Sequence, residues 1–386
     1  MPADEAVIIS AARTPVGRAG GSLAAVSAWE LGTLAAREAI ARAAVDPALF
    51  DDVIFGETVG GSGSAARYIG LAAGVPADVP GLTVIRACAT GLEAVTQAAT
   101  HLWAGVGEAY LTGGCESMSQ QPWLMKRPVG RRPPDLIVAP PTHPDEMGHP
   151  NVGFNTGENI AERYGVTREE QDRWALRSHQ RAVAAIDNGR LRDEIVGVPT
   201  PKGMVETDEH PRRDTSLAKL AALKPIYKEG GTVTAGNASG INDAGAALVV
   251  TSRSFAERHG LRPRARIVSW ASVGVDPNYT GIAPTQAVPK ALKRAGLALG
   301  DIDLVELNEA FAAMVVACVR ELGLDEEKVN VNGGAVALGH PVGATGARMT
   351  TSLVHELERR GARYGIVTMC AGGGMGSAAV IERMEG

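Results

Sequence analysis

The chain has 386 residues, of which 45% are hydrophobic and 21% charged, the proportions of an ordinary folded protein long enough for two or three domains. These values exclude a single small module, a disordered chain and a fibrous protein. A formal net charge of −5 argues against a broad electrostatic surface for nucleic acid or an anionic membrane, so we expect neither as a partner. Glycine is abundant, with 47 residues, which predicts many tight turns and close backbone approaches.

The start of the chain and its cysteines indicate a reducing compartment. Asp4 and Glu5 precede a short apolar run, so the basic flank and long apolar stretch of a signal peptide are missing, and no later run has the length of a membrane span. The cysteines have neither the density of a disulfide scaffold nor the spacing of metal ligands; they are Cys88, Cys115, Cys318 and Cys370. We expect a cytoplasmic protein without a metal, in which any special cysteine is a reactive thiol.

Short apolar runs alternate with helix-patterned segments in the first third of the chain. They predict a strand, a helix, a strand, a helix and a strand at 6–10, 29–44, 52–56, 91–104 and 108–112. This alternation predicts an α/β layered fold with buried sheets. Prolines then crowd the start of a long insertion, in which a capping-box pattern at Thr167 and Glu170 predicts a helix that Gly189 ends.

Three segments recur in the same order later in the chain. Residues 7–12 resemble 266–271 at an offset of 259, residues 36–57 lie over 288–309 at an offset of 252, and residues 89–91 match 344–346 at an offset of 255. Collinear matches predict two duplicated α/β halves. The domain boundaries that follow are 1–118 with 241–262 for the first half, 119–240 for the insertion and 263–386 for the second half.

Four segments combine reactive side chains with glycines: 85–91 (IRACATG), 306–311 (ELNEAF), 332–343 (NGGAVALGHPVG) and 369–376 (MCAGGGMG). At these segments the sequence resembles the thiolase family, the acyl-CoA acetyltransferases, and the resemblance covers nearly the whole chain. It implies duplicated α/β halves in five layers, α-β-α-β-α, with an inserted loop domain. It also implies a homo-oligomer, either a dimer or a tetramer.

Cys88 lies where a predicted strand gives way to a predicted helix. Unpaired N–H groups and the dipole at a helix N-terminus favour a thiolate there. The alternative for an arbitrary cysteine is that of a small buried hydrophobic residue. The resemblance to thiolases implies instead that Cys88 takes the acyl group from acyl-CoA as a covalent thioester.

The resemblance implies three further catalytic residues, for which ordinary packing, turn or hydrogen-bonding roles are the alternatives. Cys370 matches the general acid/base that moves a proton at the methyl group of acetyl-CoA. His340 matches the residue that activates Cys88 and contributes to an oxyanion hole. Asn308 matches the residue that holds a water in the same hole, and the N–H groups of Cys88 and Gly372 match the donors of a second hole.

The resemblance also implies coenzyme A and acyl-CoA as substrates, with no permanently bound cofactor. Ser239, Ala310 and Phe311 match residues that line the pantetheine tunnel of thiolases, and Arg212 matches one that packs near the adenine. A basic cluster in the insertion is either a solvated face or a site that attracts the 3′-phosphate across a subunit contact; it consists of Lys126, Arg127, Arg131 and Arg132.

Two positions depart from the pattern of short-chain thiolases and leave the acyl-chain length open. Thr280 stands where Met is common, and Phe154 lies in a segment that usually reads His-Met-Gly; both are predicted to line the acyl pocket. We predict a reversible Claisen condensation of acetyl-CoA with acyl-CoA, or thiolysis of 3-ketoacyl-CoA, within fatty acid metabolism. A ketoacyl synthase of the same fold is disfavoured by Cys370, and an inactive acyl-CoA-binding scaffold by the four intact reactive positions.

Overall fold

The computed structural model describes residues 4–58, 63–125, 127, 130, 136–137 and 152–385, without the side chains of 136–137 and 152–154. Its strands are β1 (Ala6–Arg13), β2 (Gly17–Arg18), β3 (Asp52–Gly56), β4 (Gly81–Val84), β5 (Ala109–Ser117), β6 (Leu124–Met125), β7 (Leu136–Ile137), β8 (Val198–Thr200), β9 (Gly203–Val205), β10 (Asn242–Ser252), β11 (Ala265–Gly274), β12 (Leu304–Leu307), β13 (Tyr364–Ala371) and β14 (Met375–Arg383). Its helices are α1 (Ala28–Ala43), α2 (Ala65–Ala72), α3 (Thr90–Trp103), α4 (Val152–Tyr164), α5 (Arg168–Asp187), α6 (Leu217–Ala221), α7 (Arg253–Arg258), α8 (Pro284–Ala295), α9 (Ala312–Leu322), α10 (Ala335–Leu338) and α11 (Val342–Arg360).

The predicted elements of the first third are confirmed as β1, α1, β3, α3 and β5, with β1 and β5 longer than predicted. The helix predicted in the insertion is α5. Thr167 caps it in the predicted manner, since its side chain accepts from the N–H of Glu170 while the Glu170 carboxylate accepts from the N–H of Thr167. Gly189 follows the helix with a φ of 68°, a left-handed value that suits glycine.

The strands form two sets with the same order and the same pairing directions. The first set runs β4-β3-β5-β10-β1 and the second runs β12-β13-β14-β11, joined where β1 pairs with β11. The pair β3 with β5 in the first set corresponds to β12 with β13 in the second, and both are parallel, whereas the pairs that follow in each set are antiparallel. In the first set β3 also pairs in parallel with the edge strand β4. The place of β4 is reduced in the second set to one parallel bridge between Val305 and Val329.

The two sets share irregularities as well as order. The register of β1 against β10 shifts between Ile8 and Ser10, and that of β11 against β14 shifts between Ile267 and Ser269. At both bulges the serine hydroxyl donates to a carbonyl of the following helix, from Ser10 to Ala39 at 2.6 Å and from Ser269 to Ala291 at 2.7 Å. These are the residue pairs that the sequence offsets of 259 and 252 superimpose. The structure therefore contains duplicated α/β halves.

The helices complete five layers. The buried apolar residues fall into three main clusters, with α1 and α2 packed on the first set of strands and α8 and α9 on the second. The middle cluster contains α3 and α11 between the two sets. These two helices approach closely, because a Cβ added at Gly91 would lie 2.7 Å from the carbonyl oxygen of Gly343. Their N-terminal ends are thereby held side by side.

The insertion is fastened to the first half by a buried charge cluster. Arg13, at the end of β1, is 1% exposed, and its guanidinium lies 2.7 Å from both Glu194 and Asp208. Because a buried charge without a partner is strongly destabilising, these ion pairs fix where the insertion sits.

Candidate active site

Cys88 lies in a sharp turn immediately before α3. Its predecessor Ala87 has a φ of 45°, a left-handed conformation that a non-glycine residue adopts only under strain. The turn is closed on both sides, since the N–H of Arg86 donates to the Thr90 hydroxyl at 2.7 Å and the N–H of Thr90 donates to the carbonyl of Ala87 at 3.0 Å. As a whole residue Cys88 remains half-buried.

The surroundings of Cys88 favour the neutral thiol. Burial raises the pKa of the Cys88 thiol, the N–H groups of Gly372 and of Cys88 itself lower it by donating to the thiolate, and the carboxylate of Glu116 raises it further. Burial therefore opposes the thiolate that the helix N-terminus is expected to favour. A neighbouring base has to accept the proton when the thiol reacts.

Cys370 belongs to the same cluster of groups. It lies near the end of β13, is 3% exposed, and precedes the glycine turn that carries Gly372. Burial raises the pKa of the Cys370 thiol well above its usual value, and the nearby sulfurs of Cys88 and Cys318 add to that rise. The structure thus brings Cys88, Cys370 and Gly372 together, as the sequence predicts.

His340 lies in the loop between α10 and α11, and its contacts define its tautomer. Its Nδ1 is 2.7 Å from the hydroxyl of Thr345, which donates its own proton to the carbonyl of Pro341 at 2.8 Å. The hydroxyl therefore accepts from Nδ1–H, and Nε2 carries the lone pair. Burial and the charge of Arg348 lower the pKa of His340 to about 4, so the ring is neutral at pH 7.

The side chain of Asn308 faces the lone pair on Nε2 of His340. Its side-chain N–H₂ lies 3.4 Å from Nε2 of His340, and its backbone N–H donates to the carbonyl of Thr368 at 3.0 Å, which continues the pairing of β12 with β13. Cys370 is two residues beyond Thr368 on the same strand. The carboxyl ends of these parallel strands thus place Asn308 and Cys370 at one edge of the sheet. The Oδ1 atom of Asn308 is buried and has no hydrogen-bond partner in the described part of the chain.

The packing of α3 on α11 brings Cys88 and Cys370 to the same place as His340 and Asn308. Cys88 precedes α3 and His340 precedes α11, and the N-terminal turns of these helices touch at Gly91 and Gly343. The N–H of Gly343 also donates to Glu116 at 2.8 Å, the carboxylate that acts on Cys88. All four predicted catalytic residues therefore lie around the end of the central helix layer.

Three residues predicted to hold pantetheine are contiguous in space. The N–H of Ser239 donates to the carbonyl of Ala310 at 3.0 Å, beside a bridge between Ala238 and Phe311. Ser239 and Ala310 are half-buried and available to a ligand, whereas the Phe311 ring is buried over Gly157, where a Cβ would lie 2.8 Å from it.

The remaining residues predicted to bind CoA or the acyl chain are Arg212, Thr280 and Phe154. Arg212 is exposed, and its backbone N–H donates to Nδ1 of His179 at 3.1 Å. Thr280 is buried, and its hydroxyl accepts from the N–H of Gly374 at 2.9 Å. The side chain of Phe154 lies outside the described residues, as do Lys126, Arg131 and Arg132.

Sequence reasoning missed the residues that orient His340. Thr345 fixes its ring, and the carboxamide oxygen of Asn242 accepts from its backbone N–H at 3.0 Å. The spacing of His340 and Thr345 across the start of a helix was visible in the sequence, but the bond depends on the loop conformation at Pro341. Asn242 is distant in sequence and gave no signal.

Within the described residues no group of three or more His, Cys, Asp or Glu side chains is arranged to bind a metal ion. The helices of that part of the chain are all too short or too polar to span a bilayer.

Comparison with known proteins agrees with this geometry. Family models for the N-terminal and C-terminal domains of thiolase match residues 6–254 and 261–383. The chain is 44% identical to an acetyl-CoA acetyltransferase of Syntrophomonas wolfei and 46% identical to a 3-ketoacyl-CoA thiolase of Bacillus subtilis, in each case over 98% of this chain and 99% of the relative. A crystal structure of human mitochondrial 3-ketoacyl-CoA thiolase in complex with CoA superimposes with a TM-score of 0.93 at 39% identity, covering 99% of both chains. The chain belongs to the thiolase family.

Proposed function

We propose that the protein is an acyl-CoA acetyltransferase that condenses acetyl-CoA with an acyl-CoA, or cleaves a 3-ketoacyl-CoA with CoA, through an acyl group on Cys88. The observation that carries the proposal is the approach of two thiols, Cys88 and Cys370, beside the N–H of Gly372, with an unprotonated histidine nitrogen at the same end of the helix layer. One thiol forms the covalent intermediate and the other moves a proton.

In the first half-reaction Nε2 of His340 accepts the proton of Cys88 as the sulfur attacks the thioester carbonyl of acyl-CoA. The oxyanion that forms accepts from the N–H groups of Cys88 and Gly372. When it collapses, the new S–C bond to Cys88 is retained, the bond to the CoA sulfur breaks, and the CoA sulfur takes the proton from His340.

In the second half-reaction Cys370 passes its own proton to Nε2 of His340, and the resulting thiolate removes a proton from the methyl group of acetyl-CoA. The negative charge on the thioester oxygen is stabilised from the side of His340 and Asn308. The carbanion attacks the acyl carbonyl, so a C–C bond forms, the S–C bond to Cys88 breaks, and the Cys88 sulfur takes the proton held by His340. In thiolysis the same steps run backwards, and the raised pKa of Cys370 suits the return of its proton.

The finer assignments belong to this proposal as well. Ser239, Ala310 and Phe311 line the pantetheine arm and Arg212 lies near the adenine of CoA, supported by the contiguity of the first three. The acyl-chain length and the preferred direction stay open, because the relatives include enzymes named for acetyl-CoA and for 3-ketoacyl-CoA. Since both reactive thiols must stay reduced, we place the enzyme in the cytoplasm.

Assembly and domain division are proposed on physical grounds. In the described sheet β4 is an edge strand. It carries exposed apolar side chains, since Leu82 within the strand is 41% exposed and Ile85 just after it is 68% exposed. An edge of this kind favours pairing with a second copy, so we propose a homodimer, alone or within a homotetramer. The proposed domains are 1–118 with 241–262, the insertion 119–240, and 263–386.

Two variants test the chemistry. After incubation with acetyl-CoA, mass spectrometry of the wild type should show one acetyl group on Cys88, and Cys88→Ala should show none. Cys370→Ala should still be acetylated but should fail to exchange the methyl protons of acetyl-CoA with deuterated solvent. Wild-type exchange in Cys370→Ala would contradict the general-base role, and a wild type that never acquires an acetyl group would instead support a binding scaffold.

A further inference from the structure

The turn between β13 and β14 carries Gly372, whose N–H donates to Cys88. The tip of this turn is hydrogen-bonded to the segment that lies between β11 and α8. At the tip, Gly374 donates its N–H to the hydroxyl of Thr280 at 2.9 Å. Its carbonyl accepts from the N–H of Val275 at 2.6 Å. Gly374 has a φ of 78°, and a Cβ there would meet the backbone of Val275 and Pro277. The turn therefore rests directly on the segment that precedes α8.

The hydroxyl of Thr280 is fully used in this contact. Thr280 is 5% exposed, and besides accepting from Gly374 it donates to the carbonyl of Pro277 at 3.0 Å. Gly374 is buried too, so its N–H has no access to water as an alternative acceptor. The sequence predicts Thr280 as part of the acyl pocket, but its polar atom is directed at the turn of the active site.

We propose that Thr280 is a positioning residue for the oxyanion donor at Gly372. Its hydroxyl fixes Gly374, and Gly374 fixes the short turn in which Gly372 lies two residues earlier. Removal of the hydroxyl leaves a buried N–H without an acceptor, which is costly enough to make the turn shift. Such a shift moves the Gly372 N–H away from Cys88. The donor then stabilises both the Cys88 thiolate and a thioester oxyanion less well.

The part of the inference that concerns the thioester rests on the proposed function, whereas the part that concerns the Cys88 thiolate does not. Alkylation of Cys88 by iodoacetamide reports the thiolate without any acyl-CoA. The groups that act on Cys88 besides Gly372 are Glu116 and Cys370, with His340 at the neighbouring helix end. None of them is altered by a substitution at position 280.

The experiment measures the rate of Cys88 alkylation against pH by mass spectrometry of the Cys88 peptide, together with kcat and KM for an acyl-CoA series. We expect Thr280→Val and Thr280→Ala to move the alkylation midpoint to higher pH and to lower kcat roughly tenfold, less than the loss of a complete oxyanion donor. Thr280→Ser should keep the wild-type midpoint. The matched control is Thr285→Val, because the Thr285 hydroxyl also donates to a carbonyl three residues earlier, at Ile282 and 2.8 Å.

The outcomes separate the possible roles. A wild-type alkylation profile in folded Thr280→Val or Thr280→Ala overturns the proposal, even if the preference among acyl chains changes, since that result assigns Thr280 to the acyl pocket alone. A shifted midpoint in Thr285→Val equal to that in Thr280→Val would also overturn it. A shift confined to the variants without the hydroxyl supports it, and does so even if the wild type fails to turn over acyl-CoA, which would refute the proposed function only.

Discussion

At His340 a single hydroxyl decides which ring nitrogen can act as a base. The Thr345 hydroxyl donates its proton to the carbonyl of Pro341, so it can only accept a hydrogen bond from Nδ1–H. The lone pair of the ring therefore stays on Nε2, which faces Asn308. Without this contact the neutral ring could place its proton on either nitrogen. In the proposed reaction the base therefore depends on a residue that takes no direct part in bond making.

Replacing Thr345 by Val should slow acetylation of Cys88 about tenfold. The buried Nδ1–H would lose its acceptor, a cost of about 1–3 kcal/mol, so most of the imidazole population would carry its proton on Nε2 instead. Thr345→Ser should restore the rate. The matched control is Thr350→Val, which removes a hydroxyl bonded to the carbonyl four residues earlier, at Gly346 and 2.8 Å, on the same helix. The measurement is rapid-quench acetylation from acetyl-CoA, and equal rates in Thr345→Val and Thr350→Val would contradict the role of the tautomer.

The candidate reactive residues were accessible from the sequence because motifs and the family resemblance identify them one by one. Cys88, His340, Asn308 and Cys370 lie at the turn, loop and strand ends that the sequence predicts, while their catalytic roles stay predictions. Their protonation was not accessible, because it depends on burial and on contacts between distant segments. The helix N-terminus predicts a thiolate at Cys88, yet burial outweighs it and the compensating N–H comes from Gly372 in the other half.

Among the elements, the contact between α3 and α11 controls the distance between the two halves of the site. A Cβ at Gly91 would lie 2.7 Å from the Gly343 carbonyl oxygen and 2.8 Å from the Ala347 nitrogen. Both are backbone atoms of α11 and cannot rotate away. The helices have to separate to admit even one methyl group.

We expect Gly91→Ala to cost about 1–3 kcal/mol of unfolding free energy, the usual range for overpacking, and to lower activity more than its stability loss explains. The control is Gly300→Ala, at a glycine with an ordinary φ and open space around its Cβ position. Urea denaturation and kcat measured on both variants check this. A Gly91→Ala protein as stable and active as Gly300→Ala would show that the helix contact tolerates expansion.

The order of elements was well predicted where the hydrophobic pattern is strong, as in α1 and β3. The repeat offsets also superimpose Ser10 on Ser269, the two residues at which the structure has paired bulges. They could not reveal that the counterpart of β4 shrinks to a bridge at Val329, because loss of a short edge strand changes hydrogen bonding more than composition. They also gave no sign that Thr280 supports a turn almost a hundred residues away.

For the molecule as a whole, buried histidines make stability depend on pH. Burial is the main cause that lowers the pKa of four of them to about 4; they are His179, His210, His340 and His355. In the unfolded chain these histidines titrate near pH 6.5. Between pH 6.5 and 4 the unfolded state therefore binds more protons than the folded state, and the free energy of unfolding decreases as the pH is lowered. Glu306 acts in the opposite sense, because burial raises its pKa to about 8 and the folded state then binds the extra proton.

The contribution of one histidine, His355, to this pH dependence can be measured by comparing a variant with the wild type. His355 lies 3.3 Å from the carbonyl of Ala11 and outside the active site. In His355→Asn the decline in unfolding free energy between pH 6 and 4.5 should be shallower than in the wild type by about 1.4 kcal/mol per pH unit, the value for one proton. Above pH 7 the two curves should run parallel. Urea midpoints across this range give both slopes, and identical slopes would show that His355 is protonated in the folded protein.

In the proposed reaction the two halves contribute unequally. The first half carries Cys88, while the second carries His340, Asn308 and Cys370. In β5, Cys115 occupies the register position that Cys370 occupies in β13, yet its thiol is buried beside two carboxylates that, after burial itself, raise its pKa further. A duplication of this kind leaves each copy free to lose the groups that the other retains. With the proposed site shared between the halves, neither half holds a complete set of reactive groups, and a single chain ensures that Cys88 is always inherited with His340.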